Sequence, residues 1–246
     1  MTRLDVTVTT PDGECPAHVY TPSQGDGPWP AVIMFPDAGS ARATFHAMAQ
    51  KLADLGYVAF LPDVYYRHGE WEPFDMSTAF GDEAERTRLF GMVRSVTPEM
   101  VVSDAGAFLD FLADHPDVAG DRVGTTGYCM GGRLSMIVAS HHPGRVAAAA
   151  SFHGGGLATD APDSPHRDAG RIEATVYVAG AQNDGSFTAE QAEVLDAALT
   201  DGGVAHTIET YPAAHGFAVP DNPTYDAAAD ARHWQATADL YASTLR

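Results

Sequence analysis

The run Gly127-Tyr128-Cys129-Met130-Gly131-Gly132-Arg133 constrains the fold more than any other stretch of the chain. Before it, Arg122-Val123-Gly124-Thr125-Thr126 is a short β-branched segment that reads as a buried strand. After it, Leu134-Ser135-Met136-Ile137-Val138-Ala139 reads as the start of a helix. Cys129 therefore stands at the apex of a strand, a tight turn and a helix, with Gly127 and Gly131 two residues away on either side. That is the spacing of a nucleophile elbow, where bulky side chains at the glycine positions would collide as the chain doubles back. A side chain at the apex projects out of the sheet. The next amide, that of Met130, lies near a helix N-terminus, where free N–H groups and the positive end of the dipole hold an oxyanion or favour a thiolate. The competing reading is a buried cysteine acting as a small hydrophobe, beside glycines that only let a helix pack close to a strand.

The rest of the sequence narrows what such a turn can serve. At 246 residues, an α/β chain buries a sizeable core without dividing, and one domain is expected over 1–246. The 33 acidic residues outnumber 14 basic ones, giving a formal charge of −19 that repels phosphate backbones and anionic lipid. Nucleic acid and membrane surfaces are therefore poor partners. Met1-Thr2-Arg3-Leu4-Asp5 lacks the apolar stretch of a signal peptide, and no apolar run approaches membrane-spanning length, so a cytoplasmic location is expected. Of the two cysteines, Cys15 lies beside Pro16 in an N-terminal strand and reads as structural, and a disulfide to Cys129 is not expected in a reducing compartment. No His-x3-His or Cys-x2-Cys spacing lies near the elbow, and no phosphate-binding glycine loop follows the first buried strand. Neither a metal nor a nucleotide cofactor is expected.

Taken in order, Asp5–Thr10 and Ala17–Tyr20 flank a Pro11-Asp12-Gly13 turn and predict a β-hairpin. Ala31–Phe35 is continuously apolar, the mark of a parallel strand covered on both faces, and it runs into Pro36-Asp37-Ala38-Gly39. Residues 42–55 carry Phe45, Met48, Ala49, Leu52 and Leu55 at helical spacing, and Val58–Leu61 is the next buried strand. From Pro62 to about Thr97 the pattern is irregular, with Trp71, Phe74, Phe80, Arg86, Arg88, Phe90 and Arg94 mixed together; it is either a substrate-contacting insertion or a solvated segment. A helix over Pro98–Leu112 leads to the elbow strand, and further strands follow at Val146–Phe152, Thr175–Ala179 and Ala205–Tyr211. Helices are expected over Ala189–Leu199 and from about Asp226 to Leu245.

Alternating strands and helices imply a mostly parallel central sheet with helices on both faces, and the site of such a fold lies at the carboxyl ends of its strands. Asp37, Cys129, Asp184 and His215 all fall at that edge. A thiol attacking a carbonyl needs a base, and the base needs an acceptor that fixes its tautomer. The order Cys129, Asp184, His215 is that of nucleophile, acid and base in the α/β-hydrolase fold. His153, at the end of its own strand, is the competing histidine.

With these residues in view, the chain resembles the dienelactone hydrolase family, the cysteine-dependent branch of the α/β-hydrolases. The resemblance covers nearly the whole length. It rests on the elbow at 127–132, Gly56-Tyr57-Val58 running into Leu61-Pro62-Asp63-Val64-Tyr65, the Asp184 loop, and Ala214-His215-Gly216-Phe217-Ala218. It implies a carboxymethylenebutenolidase-like hydrolase that opens a small enol-lactone or activated ester through a thioester acyl-enzyme. Cys129 would be the nucleophile, His215 the base and Asp184 its orienter, with the backbone N–H groups of Ala38 and Met130 as the oxyanion hole. It also implies an acid that keeps the thiol quiet, at a position held here by Asp37 instead of the family's Glu; read alone, Asp37 reads as a turn or cap residue. Substrate contacts are expected from Arg86, with Arg88 close in register, and from Tyr128 and Phe217. Val219 stands where a second carboxylate-binding arginine belongs, and Gly216 replaces a serine. The expected partner is a small lactone or ester, with the chain a monomer or small homo-oligomer. A broad carboxylesterase, and a non-catalytic ligand-binding or thiol-sensing fold, are the alternatives.

Overall fold

The turn at Pro11-Asp12 joins β1 (Thr2–Thr10) to β2 (Gly13–Thr21) in an antiparallel hairpin whose register runs from Thr10 opposite Gly13 to Thr2 opposite Thr21. The computed structural model describes residues 2–245, so Met1 and Arg246, the outermost residues of the expected 1–246 domain, lie outside it. β2 pairs antiparallel with β4 (Val58–Pro62). From β4 onward every pairing is parallel, through β3 (Ala31–Phe35), β5 (Val123–Tyr128), β6 (Val146–Phe152), β7 (Thr175–Ala181) and β8 (His206–Tyr211). The eight strands form one sheet in the order β1-β2-β4-β3-β5-β6-β7-β8. The parallel strands put their carboxyl ends at one edge.

The apolar runs have the lengths and alternation that two covered faces demand. Along β3, Ala31, Ile33 and Phe35 join the core on one face, while Val32 and Met34 join the core on the other. The first face is closed by α3 (Pro98–Ala113), α4 (Met130–His141) and α5 (Ala189–Asp201), through residues such as Phe108, Leu112, Ile137 and Leu195. The second is closed by α1 (Ala43–Asp54) and α6 (Ala227–Thr244), through Phe45, Leu52, Trp234 and Tyr241. Among the described residues, no helix is long and apolar enough to cross a membrane.

The irregular segment after β4 contains a helix that the periodicity did not predict, α2 (Glu83–Ser95). Only Leu89 and Met92 of α2 are buried, so its sequence lacks a broad apolar stripe. Its signal lies at the ends instead: the Asp82 carboxylate accepts from the Ala84 and Glu85 amides, Glu83 and Glu85 occupy the first turn, and Arg94 the last. With Tyr65, Phe74 and Met76, Leu89 and Met92 form a small satellite core against Ala38. The segment therefore packs under the loop that follows β3.

Candidate active site

The elbow is a forced conformation. Cys129 has φ 54° and ψ −115°, a left-handed backbone that side chains rarely adopt, between β5 and the first residue of α4. A Cβ at Gly127 would enter the Gly131 carbonyl, and one at Gly131 would enter the carbonyls of Phe35 and Pro36. Both glycines are thus required by close backbone approach, and the second also lets the elbow touch the end of β3. That contact brings the loop after β3 alongside Cys129. Neither the Ala38 nor the Met130 backbone N–H donates to a protein acceptor among the described residues, and Met130 opens α4, where the helix leaves its first amides free.

Asp184 follows β7 and His215 follows β8, and the two meet: His215 Nδ1 donates to Asp184 Oδ2 at 2.7 Å. The other carboxylate oxygen accepts from the Ser186 amide at 2.8 Å and the Ser186 hydroxyl at 2.6 Å. Burial alone would raise the Asp184 carboxyl, but the bonds from His215 and Ser186 outweigh it and hold the group at about 2. Burial likewise pulls the His215 imidazole down, and is outweighed by its bonds to Asp184 and Cys129 and by their charges, which lift it to about 10. The imidazole so placed lies between a carboxylate and the sulfur, with its proton-bearing form favoured by both neighbours.

Two cavities open onto this group. The smaller, about 360 Å³, is lined by Met76, His153, Asn222, Pro223 and Thr224 among others; the larger, about 630 Å³, by Phe90, Val93, Met130, Arg133, Leu134 and Gln191 among others. Ala38, Phe80, Cys129 and His215 line both. They are lobes of one site meeting at the sulfur and the imidazole.

Several expected residues stand elsewhere. Asp37 lines the smaller lobe together with Cys129, but its carboxylate takes its bonds from other groups: two from Arg42, at 2.7 and 3.0 Å, and one from the Gly39 amide at 2.9 Å. The shorter acid lies against a guanidinium five residues on, and its charge is neutralised there. Tyr128 and Phe217 are core residues and not substrate contacts. Tyr128 is fully buried with its hydroxyl 3.1 Å from His233 Nε2, because it precedes the apex on a strand covered on both faces. Phe217 stacks on Tyr211 at 5.1 Å. Arg86 is exposed and donates to the Phe80 carbonyl, while Arg88 pairs with Glu85 and lies over the Phe74 ring. Among the described residues, Arg133, one turn into α4 and bonded to Asp163 at 2.8 Å, does line the larger lobe. Gly216 has φ 95°, and a Cβ there would strike Asn222, so a serine does not fit this turn. Cys15 is buried with its thiol against the Asp63 carbonyl and pushed up by burial, as expected of a structural cysteine.

Other residues of the site were not singled out in the sequence. Arg42 grips Asp37 with one side of its guanidinium and Asp221 with the other, at 2.7 Å to each Asp221 oxygen. It thereby joins the loop after β3 to the loop that follows His215. Tyr65 donates its hydroxyl to the Ala38 carbonyl at 2.9 Å, and Thr224 donates to the His215 carbonyl. Only Ser186 had a local signal, a serine two residues after an aspartate at a strand end, which is an Asx-turn pattern.

Comparisons with known proteins identify the family. Residues 15–245 match the model of the dienelactone hydrolase family. A provisionally named carboxymethylenebutenolidase of Escherichia coli K12 is 31% identical over 89% of this chain and 79% of its own length. The carboxymethylenebutenolidase of Pseudomonas sp. strain P51 is 28% identical over 87% of this chain and 83% of its own. The crystal structure of a provisionally named dienelactone hydrolase from Klebsiella pneumoniae superposes with a TM-score of 0.84, at 24% identity over 98% of both chains, which is a likeness of fold. With its elbow, its strand order and its sequence all of one kind, the chain belongs to the dienelactone hydrolase family and is a hydrolase of the α/β-hydrolase fold.

Proposed function

We propose that the protein hydrolyses a small lactone or activated ester through a thioester on Cys129. The observation that carries this reading is the imidazole of His215, anchored by Asp184 and raised to about 10 beside a sulfur at the apex of a strained elbow. The sulfur attacks the carbonyl carbon, and the oxyanion that forms lies where the Ala38 and Met130 amides are free to donate. As the carbon–oxygen bond to the leaving group breaks, His215 gives that oxygen its proton. Neutral again, the imidazole takes a proton from water as the water oxygen attacks the thioester; the carbon–sulfur bond then breaks with its electron pair on sulfur, leaving the acid and the thiolate beside the imidazolium.

The test is turnover of p-nitrophenyl acetate and of a 4-carboxymethylene-butenolide by the wild type and by Cys129→Ser. The serine variant is expected to fall by about 10³-fold or more, since its hydroxyl is far less acidic than a thiol and the site is built around sulfur. Unchanged turnover in that variant would refute the mechanism. A second reading, a broad carboxylesterase, is favoured by one observation: Arg86 is turned to the Phe80 carbonyl and Val219 is buried, so the two-arginine grip on a substrate carboxylate is missing. Comparable efficiency on the simple ester and the carboxylated lactone supports that second reading; a strong preference for the lactone excludes it.

A further inference from the structure

The helix α2 has two narrow apolar strips and uses only one of them to hold itself to the fold. Leu89 and Met92 enter the satellite core against Ala38. Phe90 and Val93, three residues apart on the neighbouring strip, line the larger lobe of the site instead. Phe80, in the turn before α2, stands beside them: its ring centroid lies 6.3 Å from that of Phe90 at 61°, an edge-to-face pair. Both rings are largely open to solvent, Phe80 at 44% and Phe90 at 42% exposed. Single exposed phenyl rings are ordinary, but two in contact that also line a cavity make a contiguous apolar surface, which marks where an apolar group is received. Val96 and Leu134 extend that surface, so α2 and α4 both contribute to it.

Charge decides what kind of molecule that group belongs to. Among the described residues, Arg133 is the single Lys or Arg lining either lobe, and it is already engaged: it donates to the Asp163 carboxylate at 2.8 Å and to the Asp163 carbonyl at 3.1 Å. The carboxylates that line the lobes are matched as well, Asp37 by Arg42 and Asp184 by His215. No cation is left over for a substrate carboxylate, and the formal charge of −19 on the whole chain opposes the approach of an anion. We propose that the larger lobe receives an uncharged apolar group, an alkyl chain or an aromatic ring, so that the substrate is a neutral ester or lactone and Phe80, Phe90 and Val93 set the preference for it. At about 630 Å³ the lobe has the size of a small-molecule site. The inference rests on the reading of Cys129 as nucleophile and sides with the broader of the two substrate readings, to which it adds a charge and a shape.

The experiment measures kcat/KM over two ester series: p-nitrophenyl acetate to hexanoate, which lengthens the acyl side, and methyl to hexyl acetate, which lengthens the alcohol side. Each series includes a counterpart of its longest member that ends in a carboxylate, mono-p-nitrophenyl adipate and 6-acetoxyhexanoate. In at least one series kcat/KM is expected to rise about 10²-fold from the shortest member to the longest, since each buried methylene is worth about three- to fourfold. The carboxylate counterpart in that series is expected about tenfold or more below the neutral ester. Phe90→Ala, a change at an exposed side chain, should cut the rise about fivefold, and Val93→Trp, which fills the lobe, should abolish it, with the melting temperature showing that each variant is folded. A flat response in both series, a carboxylate counterpart turned over as well as the neutral ester, or an undiminished rise in folded Phe90→Ala would overturn the inference. A wild type that forms no acetyl-Cys129 with p-nitrophenyl acetate, read by mass spectrometry of quenched samples, would overturn the reading beneath it, which is a different result from any of these.

Discussion

Arg42 is the side chain whose loss should be felt most widely outside the reacting group. It is 9% exposed, as against 4% for Asp37, and it supplies two of the three hydrogen bonds on that carboxylate. Arg42→Met keeps the apolar stem and leaves Asp37 buried with the Gly39 amide alone. Removing one partner of a buried ion pair costs about 3–5 kcal/mol, because the remaining charge is uncompensated. The outer pair adds little, since Asp221 is 37% exposed and such bridges are worth about 0–1 kcal/mol. For a chain of this size each kcal/mol lowers the melting temperature by about 2–4 °C, so a fall of roughly 6–20 °C is expected by calorimetry. Asp37→Asn in the Arg42→Met background removes the stranded charge and should recover more than half of the loss. A single variant destabilised by less than about 1 kcal/mol, or a double variant less stable than the single, would refute the reasoning. Either result would mean that Asp37 is free of Arg42 in solution and available to the thiol.

Two further perturbations bear on the site. Asp184→Asn removes the leading support of the His215 proton, so the basic limb of the pH profile should move down from about 10 toward 6.5, with kcat lower by about 10³–10⁴-fold. The sign for stability follows from the same two groups: the raised His215 contributes fully below 6.5 and fades as pH rises through about 10, whereas the lowered Asp184 contributes fully above 3.8 and fades as pH falls through about 2. Chemical denaturation against pH should therefore show the wild type's advantage over Asp184→Asn at its fullest between 3.8 and 6.5. Tyr65→Phe removes the donor to the Ala38 carbonyl and is expected to lower kcat by about three- to tenfold with KM little changed, at about 1 kcal/mol of stability.

Much of the sheet was legible because buried strands such as Ala31–Phe35 and Val58–Leu61 are apolar runs too short for a helix and bounded by turn residues. The elbow was legible because a doubled-back chain admits only glycine at 127 and 131, so geometry is written into residue type. Asp184 and His215 were legible by order along the chain. What was not legible is whatever depends on distance across the fold. Arg42 and Asp221 are 179 residues apart, and no local pattern announces that pair. The family resemblance, not the residues alone, pointed Asp37 toward the sulfur, and nothing in sequence says which of two neighbours a carboxylate faces. Arg86 and Arg88 were candidates through the family resemblance, and the weak apolar stripe of α2 gave no sign in the sequence of which face is turned inward.

The ties around the site form a sequence of their own. Tyr65 fixes the loop after β3 from below, Arg42 fixes it from the side and passes to Asp221, and Thr224 in that same segment bonds the His215 carbonyl. The proposed oxyanion donor and the proposed base are therefore held by one connected set of contacts before any charge develops, which is the condition under which fixed dipoles lower a barrier. The two ends of that set separate by experiment. Tyr65 bonds the Ala38 carbonyl and Met130 and has no bond to the segment after His215 among the described residues, so Tyr65→Phe should slow acylation while leaving the pH profile of His215 in place. Arg42 touches both loops, so Arg42→Met should slow acylation and shift the profile together. Identical pH profiles for the two variants, measured by burst kinetics across pH, would show that the loops are held independently and that the bridge through Arg42 is structural alone.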